Sequence, residues 1–245
     1  MNILALESGA NHWGLAVVQI GEKVEPLAIT VETEPRQLAR DLFARIGSTL
    51  AQAQMTLDDI DALAVGIGPG SWTGLRVGLT AMKTLAQTRS IPICGVPSFD
   101  AIAQAAWRSR DEENTSLLIV TGACRPDEFY GKIFECGENY LVIAQPEWIG
   151  TSQLLADTMS TENLVRGLET PILLAGAGSE KIAAILEARG EEYSAIAPAF
   201  EFILIELAIA AAAAIGAGEA SDPMTLAPLY LAPSNAERNL ISNAT

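Results

Sequence analysis

Residues 2–8, 13–20 and 24–32 are apolar runs of strand length, separated by turn residues at Gly9 to His12 and at Gly21-Glu22, and they read as three successive strands. The period then changes. Leu38, Leu42, Ile46, Leu50 and Ala53 recur at helical spacing between Pro35 and Gln54, which predicts an amphipathic helix with Pro35 in its first turn. The run Ala62-Leu-Ala-Val65 is too short for a helix and suits a buried strand. A glycine-rich stretch follows, and from Leu75 the apolar positions Leu75, Leu79, Met82 and Ala86 predict a second helix, ended by Ile91-Pro92. Ser98 is placed to cap a third helix reaching Trp107.

The polar stretch 108–115 breaks this pattern and predicts a boundary, with one lobe at 1–110 and a second at 111–232. In the second lobe, Leu117 to Val120 reads as a buried strand. A hairpin passes through Lys132 and Phe134, a strand covers 139–145 and a short helix covers 152–159. Residues 171–180 read as a strand, glycines and a capped helix. The run 202–217 is almost wholly apolar. Glu206 interrupts that run, leaving it short of the ~20 residues that span a membrane, so it predicts a buried, alanine-rich helix. The polar residues 233–245 are expected to be disordered.

The segment from Gly66 to Gly74, with Ser71 and Thr73 able to cap a helix, is a strand, a glycine turn and a helix N-terminus, a general arrangement for cradling an anion. Its spacing matches neither the Walker A loop nor the dinucleotide fingerprint, and chemistry alone favours a tight turn with no ligand. Gly74 and Gly78, four apart, give the next helix a side that another element can approach closely. Glycine inside a helix costs about 0.5–1 kcal/mol relative to alanine, so close packing should offset it. The pattern leaves open whether that packing is within this chain or against a partner.

Composition narrows the function classes. The chain has 245 residues, 49% of them hydrophobic, and thirty acidic against fifteen basic residues give a net charge of −15. No Lys/Arg cluster is present, which argues against nucleic-acid binding by this chain alone. The three cysteines, Cys94, Cys124 and Cys136, form no metal or disulfide pattern, and the N-terminus has no signal-peptide character. A cytoplasmic setting is the expectation. His12 is the only histidine, on a predicted loop. Glu7, at the end of the first strand, reads as a solvated carboxylate, because nothing near it in sequence completes a metal site.

Gly68-Pro-Gly-Ser-Trp-Thr-Gly-Leu-Arg-Val-Gly78 resembles the hallmark GPGSFTGLRIG of the TsaB (YeaZ) family. Asn2-Ile-Leu-Ala-Leu-Glu-Ser8 resembles its opening ILALDTS, residues 93–103 resemble its GVSSLEALA segment, and residues 123–130 resemble its DARRGEVY. Pro228-Leu-Tyr-Leu231 is similar to its PxYLR ending. The chain departs from the family at Glu7, Ala123 and Ala232, where Asp, Asp and Arg are usual.

The resemblance implies a two-lobed α/β structure with the actin-like ATPase (ASKHA) fold of sugar kinases, Hsp70 and actin. It implies a non-catalytic subunit that pairs with a TsaD-like enzyme and a TsaE-like ATPase to form threonylcarbamoyl-adenosine beside the tRNA anticodon. TsaD relatives hold a metal with a His-x-x-x-His pair, which one histidine cannot supply. No catalytic residue and no metal ligand is expected, ATP is expected only at a subunit interface, and tRNA only through the complex; a homodimer is possible when the chain is alone. Docking is assigned to the first two helices, with Leu38, Leu42, Phe43, Ile46, Gly74, Leu75, Gly78, Leu79 and Met82 as candidate contacts and Met55 at the margin. Glu7, Ser8 and Arg125 are weak cofactor-binding candidates. An ATP-dependent small-molecule kinase or carbamoyltransferase on the same fold is the alternative, and a metallopeptidase is disfavoured by the histidine count.

Overall fold

The alternation of side chains along Asn2–Glu7 (β1) sends Leu4 and Leu6 to one side of a sheet and Ile3 and Ala5 to the other, all of them fully buried. β1 pairs antiparallel with Trp13–Ile20 (β2), which pairs antiparallel with Val24–Glu32 (β3). On its other side β1 runs parallel to Ala62–Gly66 (β4), and β4 to Ile93–Val96 (β5), giving the order β3-β2-β1-β4-β5. The computed structural model describes residues 1–110, 115–168 and 170–231. The predicted tail 233–245, with Ala232, lies outside them, as does the middle of the predicted boundary stretch.

The two faces of this sheet carry residues of different size, and that decides which helices cover them. Leu4, Leu6, Leu15, Val17, Leu63 and Val65 face Leu38–Gln52 (α1) and Trp72–Arg89 (α2). Ala5, Ala16, Ala62 and Ala64, with Ile3 and Val18, face Phe200–Gly216 (α6). A face lined by alanines lets an alanine-rich helix lie close, which accounts for the long apolar run near the C-terminus. Among the described residues no helix is long and apolar enough to cross a membrane.

The second sheet repeats the plan. Ser116–Arg125 (β6), Glu128–Cys136 (β7) and Leu141–Thr151 (β8) form the antiparallel meander. Ile172–Gly176 (β9) and Tyr193–Ala195 (β10) add in parallel, in the order β10-β9-β6-β7-β8. Ser152–Arg166 (α4) and Ser179–Ala188 (α5) cover one face. Ser98–Arg108 (α3) covers the other through Phe99, Ala103 and Ala106, and its Ala101 and Ala105 join the α6 cluster. Thus α3 is shared between the two halves, and α6, from the C-terminal part of the chain, packs on the N-terminal sheet.

After α6 the chain stays on that first half. Ser221 bridges to Ile93, the Leu229 N–H donates to the Ile67 carbonyl at 2.8 Å, and Lys83 Nζ donates to the Leu226 carbonyl at 2.6 Å. Residues 218–231 form a strap over the glycine turn and along α2.

Candidate functional site

The glycine turn is built around a buried carboxylate. Glu7 is only 2% exposed, so the solvated strand-end carboxylate expected from sequence is corrected by the structure. Its Oε1 accepts the N–H of Ser8 at 2.8 Å and of Gly9 at 2.7 Å, and Oε2 accepts the Ser98 hydroxyl at 2.7 Å. The Ser98 Oγ in turn accepts the Gly68 N–H at 3.1 Å. Ser98 therefore does not cap α3 as predicted: the cap position is Pro97, and the hydroxyl ties α3 to the first strand. Gly66 is required beside this carboxylate, because a Cβ there would overlap Glu7 Oε2. Burial pushes the Glu7 pKa up, and the hydrogen bonds from Gly9, Ser98 and Ser8 oppose that rise only in part.

Ser71 caps α2 as expected, its hydroxyl accepting the Gly74 N–H at 3.3 Å. The turn is drawn tightly onto the first strand. The Ser71 N–H donates to the Gly9 carbonyl at 2.7 Å, and Ser8 Oγ donates to the Gly74 carbonyl at 3.1 Å. A Cβ on Gly74 would overlap the Ser8 carbonyl, and one on Gly78 would overlap Ser8 Oγ. The glycine side of α2 thus faces the end of β1, and the choice left open by the sequence is decided in favour of packing within the chain.

The candidate docking residues divide accordingly. Leu38, Leu42, Ile46, Leu75, Leu79 and Met82 are at most 3% exposed, and Gly74 and Gly78 are buried. Leu38, Leu42, Ile46, Leu79 and Met82 belong to the core between α1, α2 and the sheet, Leu75 packs at the glycine turn and the two glycines face Ser8, so none of the eight offers a free face. Helical periodicity picks out the side of a helix that is buried, and that side is turned towards its own sheet. Phe43 alone is open, at 61% exposure, and Met55 is half-buried against the core. Phe43 stands at the edge of a groove of about 450 Å³ between α1 and α2, with Ala39, Arg76, Val77, Thr80 and Ala81 along it.

The remaining candidates do not converge. Ser8 is buried in the turn beside Glu7. Arg125 lies on the second sheet, where it pairs with Glu128 at 2.5 Å, and no contact among the described residues joins it to Glu7. His12 is exposed, its ring tilted against Phe200 at 6.0 Å. The second glycine turn is closed by its neighbours: side chains at Gly176 and Gly178 would overlap the Thr121 carbonyl and the Phe129 ring.

Sequence reasoning missed an aromatic stack with an arginine at the groove. Trp72 and Tyr230 stack with centroids 4.0 Å apart and planes 12° from parallel, and the Arg76 guanidinium lies 4.3 Å over the Trp72 ring. The signal was present as Trp72 and Arg76 one helical turn apart, but Tyr230 is distant in sequence.

Comparison with known proteins agrees with this architecture. A family model described as TsaD, tRNA N6-adenosine threonylcarbamoyltransferase, matches residues 32–237. The tRNA threonylcarbamoyladenosine biosynthesis protein TsaB of Haemophilus influenzae is 32% identical over 49% of this chain and 49% of its own length. That of Escherichia coli is 31% identical over 57% of each chain. The chain belongs to the TsaB/YeaZ family. Its matches span about half the length of these two curated relatives. The solved structure of YeaZ from Pseudomonas aeruginosa superposes with a TM-score of 0.69 at 20% identity, covering 94% of this chain and 100% of that one. This likeness shows the fold of the TsaB-family chain: two mixed five-stranded sheets with helices, as in YeaZ, in line with the α/β architecture that the resemblance implied.

Proposed function

We propose that this TsaB-family chain is a non-catalytic, activating subunit that docks a TsaD-like enzyme through its α1–α2 face. In that assembly, with a TsaE-like ATPase, it takes part in forming threonylcarbamoyl-adenosine beside the tRNA anticodon. Family membership supports the pathway, since the Escherichia coli and Haemophilus influenzae relatives are described by that biosynthesis. The observation that carries the docking role is Phe43, an aromatic ring 61% exposed at a groove whose floor is fully packed. The commitment of both Glu7 oxygens to donors of this chain, two backbone N–H groups beside it and the Ser98 hydroxyl of α3, supports a structural use of this carboxylate over a role in handling ATP. Any nucleotide would then be held with the partner, and the setting is cytoplasmic.

The test uses the purified chain and the TsaD-like enzyme of the same organism. Burying a phenylalanine side chain contributes about 1.5–3 kcal/mol, so Phe43→Asp is expected to weaken association tenfold or more. Its thermal midpoint should be unchanged, and reconstituted threonylcarbamoylation should fall in parallel. Unaltered association of Phe43→Asp, or ATP hydrolysis by the isolated chain that Glu7→Gln abolishes, would overturn the reading.

A further inference from the structure

Arg76 is held in place before any partner arrives. Its Nε donates to Tyr230 Oη at 2.9 Å, and its guanidinium lies 4.3 Å from the centre of the Trp72 ring and 5.7 Å from that of Tyr230. Tyr230 is itself fixed by the strap, through the bond from the Leu229 N–H to Ile67. A guanidinium carries five N–H donors. The Nε–Tyr230 bond uses one of them, and among the described residues no carboxylate pairs with Arg76. By contrast, Arg40, Arg45, Arg89, Arg108 and Arg125, among other cations, pair with this chain's own carboxylates. Among the described residues that line the groove between α1 and α2, Arg76 is the one that carries a charge.

This placement has an electrostatic consequence. A helix laid into the groove over Phe43 would strip water from a cation flanked by two aromatic rings and bonded to a single hydroxyl among the described residues, and burying a charge without a countercharge is strongly unfavourable. We propose that Arg76 is the anchor for a carboxylate on the docking helix of the TsaD-like partner, one Asp or Glu side chain positioned at the Trp72 end of the groove. The inference rests on the docking reading above and deepens it by naming the chemistry the partner brings. Stacking on Trp72 and the bond to Tyr230 fix the plane of the guanidinium, so its remaining N–H groups present a fork that suits a carboxylate. Little side-chain freedom is left to lose on binding.

The experiment measures Kd for the full chain and the TsaD-like enzyme at low and high salt, without nucleotide. Arg76→Met keeps an apolar side chain on Trp72 and removes the charge. A charge-assisted hydrogen bond is expected to be worth tenfold or more in affinity, so Kd should rise by at least that factor and lose most of its salt dependence. Arg76→Lys should fall between the two, because an ammonium is a point charge without the fork. Tyr230→Phe should weaken binding by a smaller factor. If Arg76→Met binds as the unaltered chain does while Phe43→Asp does not bind, the carboxylate anchor is wrong and the docking face stands. No association of the unaltered chain would overturn both. An effect of Arg76→Met that appears only when ATP is added would overturn the carboxylate in favour of nucleotide phosphate. Should Arg76→Met lower the thermal midpoint, the unaltered chain decides: a Kd independent of salt would overturn the proposal.

Discussion

At the scale of single residues, Glu7 shows how one buried acid can organise a turn. It accepts from two backbone N–H groups and one hydroxyl, and leaving each such donor unpaired in a buried site costs about 1–3 kcal/mol. Glu7→Ala is therefore expected to destabilise the chain by several kcal/mol. Glu7→Gln keeps the size and lets the amide oxygen accept the two N–H groups while the amide nitrogen meets Ser98 Oγ. The pair separates shape from charge. Burial is the largest influence on Glu7 and raises its folded pKa above 4.5. The folded state then binds a proton more readily than the unfolded one, so this group's contribution is fully present below 4.5 and is lost as pH rises through the raised value. Glu206 shifts the same way, by burial first, with Arg108 opposing. Subtracting the urea-denaturation stability of Glu7→Gln from that of the unaltered chain removes the Glu206 part. The difference should decline from pH 4.5 upward and then level off; a flat difference would show that burial does not govern Glu7.

At the scale of elements, α2 explains both what could be read in the sequence and what could not. Its existence, its cap at Ser71 and its buried stripe were legible, because each follows from spacing along one helix. The partner of its glycines was not, since Ser8 lies sixty-six residues from Gly74 along the chain. Periodicity says that a face is buried and is silent on what buries it. For the same reason the short strand β10 went unseen, its three residues being recruited by β9, and α4 was read seven residues short of Arg166 because Leu164 and Val165 are exposed apolar residues off the stripe. The site was less legible than the fold. Of the nine docking candidates only Phe43 reaches the surface, and Arg76 gained its role through Tyr230. A consequence for α2 can be measured. Gly78→Ala would gain up to about 1 kcal/mol in helix propensity, but its Cβ would overlap Ser8 Oγ and come 3.1 Å from Leu6 Cδ2. Overpacking of about 1–3 kcal/mol should win, lowering the thermal midpoint of the isolated chain, and Gly78→Leu should lower it further. A raised midpoint in either variant would mean that Ser8 and the β1 end yield more easily than their hydrogen bonds suggest.

At the scale of the whole molecule, the same charge balance that leaves Arg76 conspicuous bears on how tRNA would be reached under the proposed function. Affinity for a polyanion comes from cations that displace its counterions, roughly one unit of salt slope for each phosphate neutralised. This chain has fifteen cations against thirty acids. Arg40, Arg45, Arg89, Arg108, Arg125, Lys132, Arg166, Lys181 and Arg189 are already paired with carboxylates of the chain itself. A phosphate approaching these groups would have to displace an internal partner and cross the field of a net charge of −15. Non-specific binding of nucleic acid at physiological salt typically has a Kd of about 10⁻⁴–10⁻⁶ M, and an acidic chain with most of its cations committed should fall at or beyond the weak end. The pure chain is thus expected to shift tRNA in a gel only at high-micromolar concentration or above, with a shallow salt slope. Adding the TsaD-like enzyme should produce tight, salt-sensitive binding whose slope does not change when Lys132 or Arg189 is neutralised, because those cations serve this fold and not the nucleic acid. Tight, salt-steep binding by the chain alone would contradict this expectation and would move the proposed tRNA recognition from the partner to this subunit.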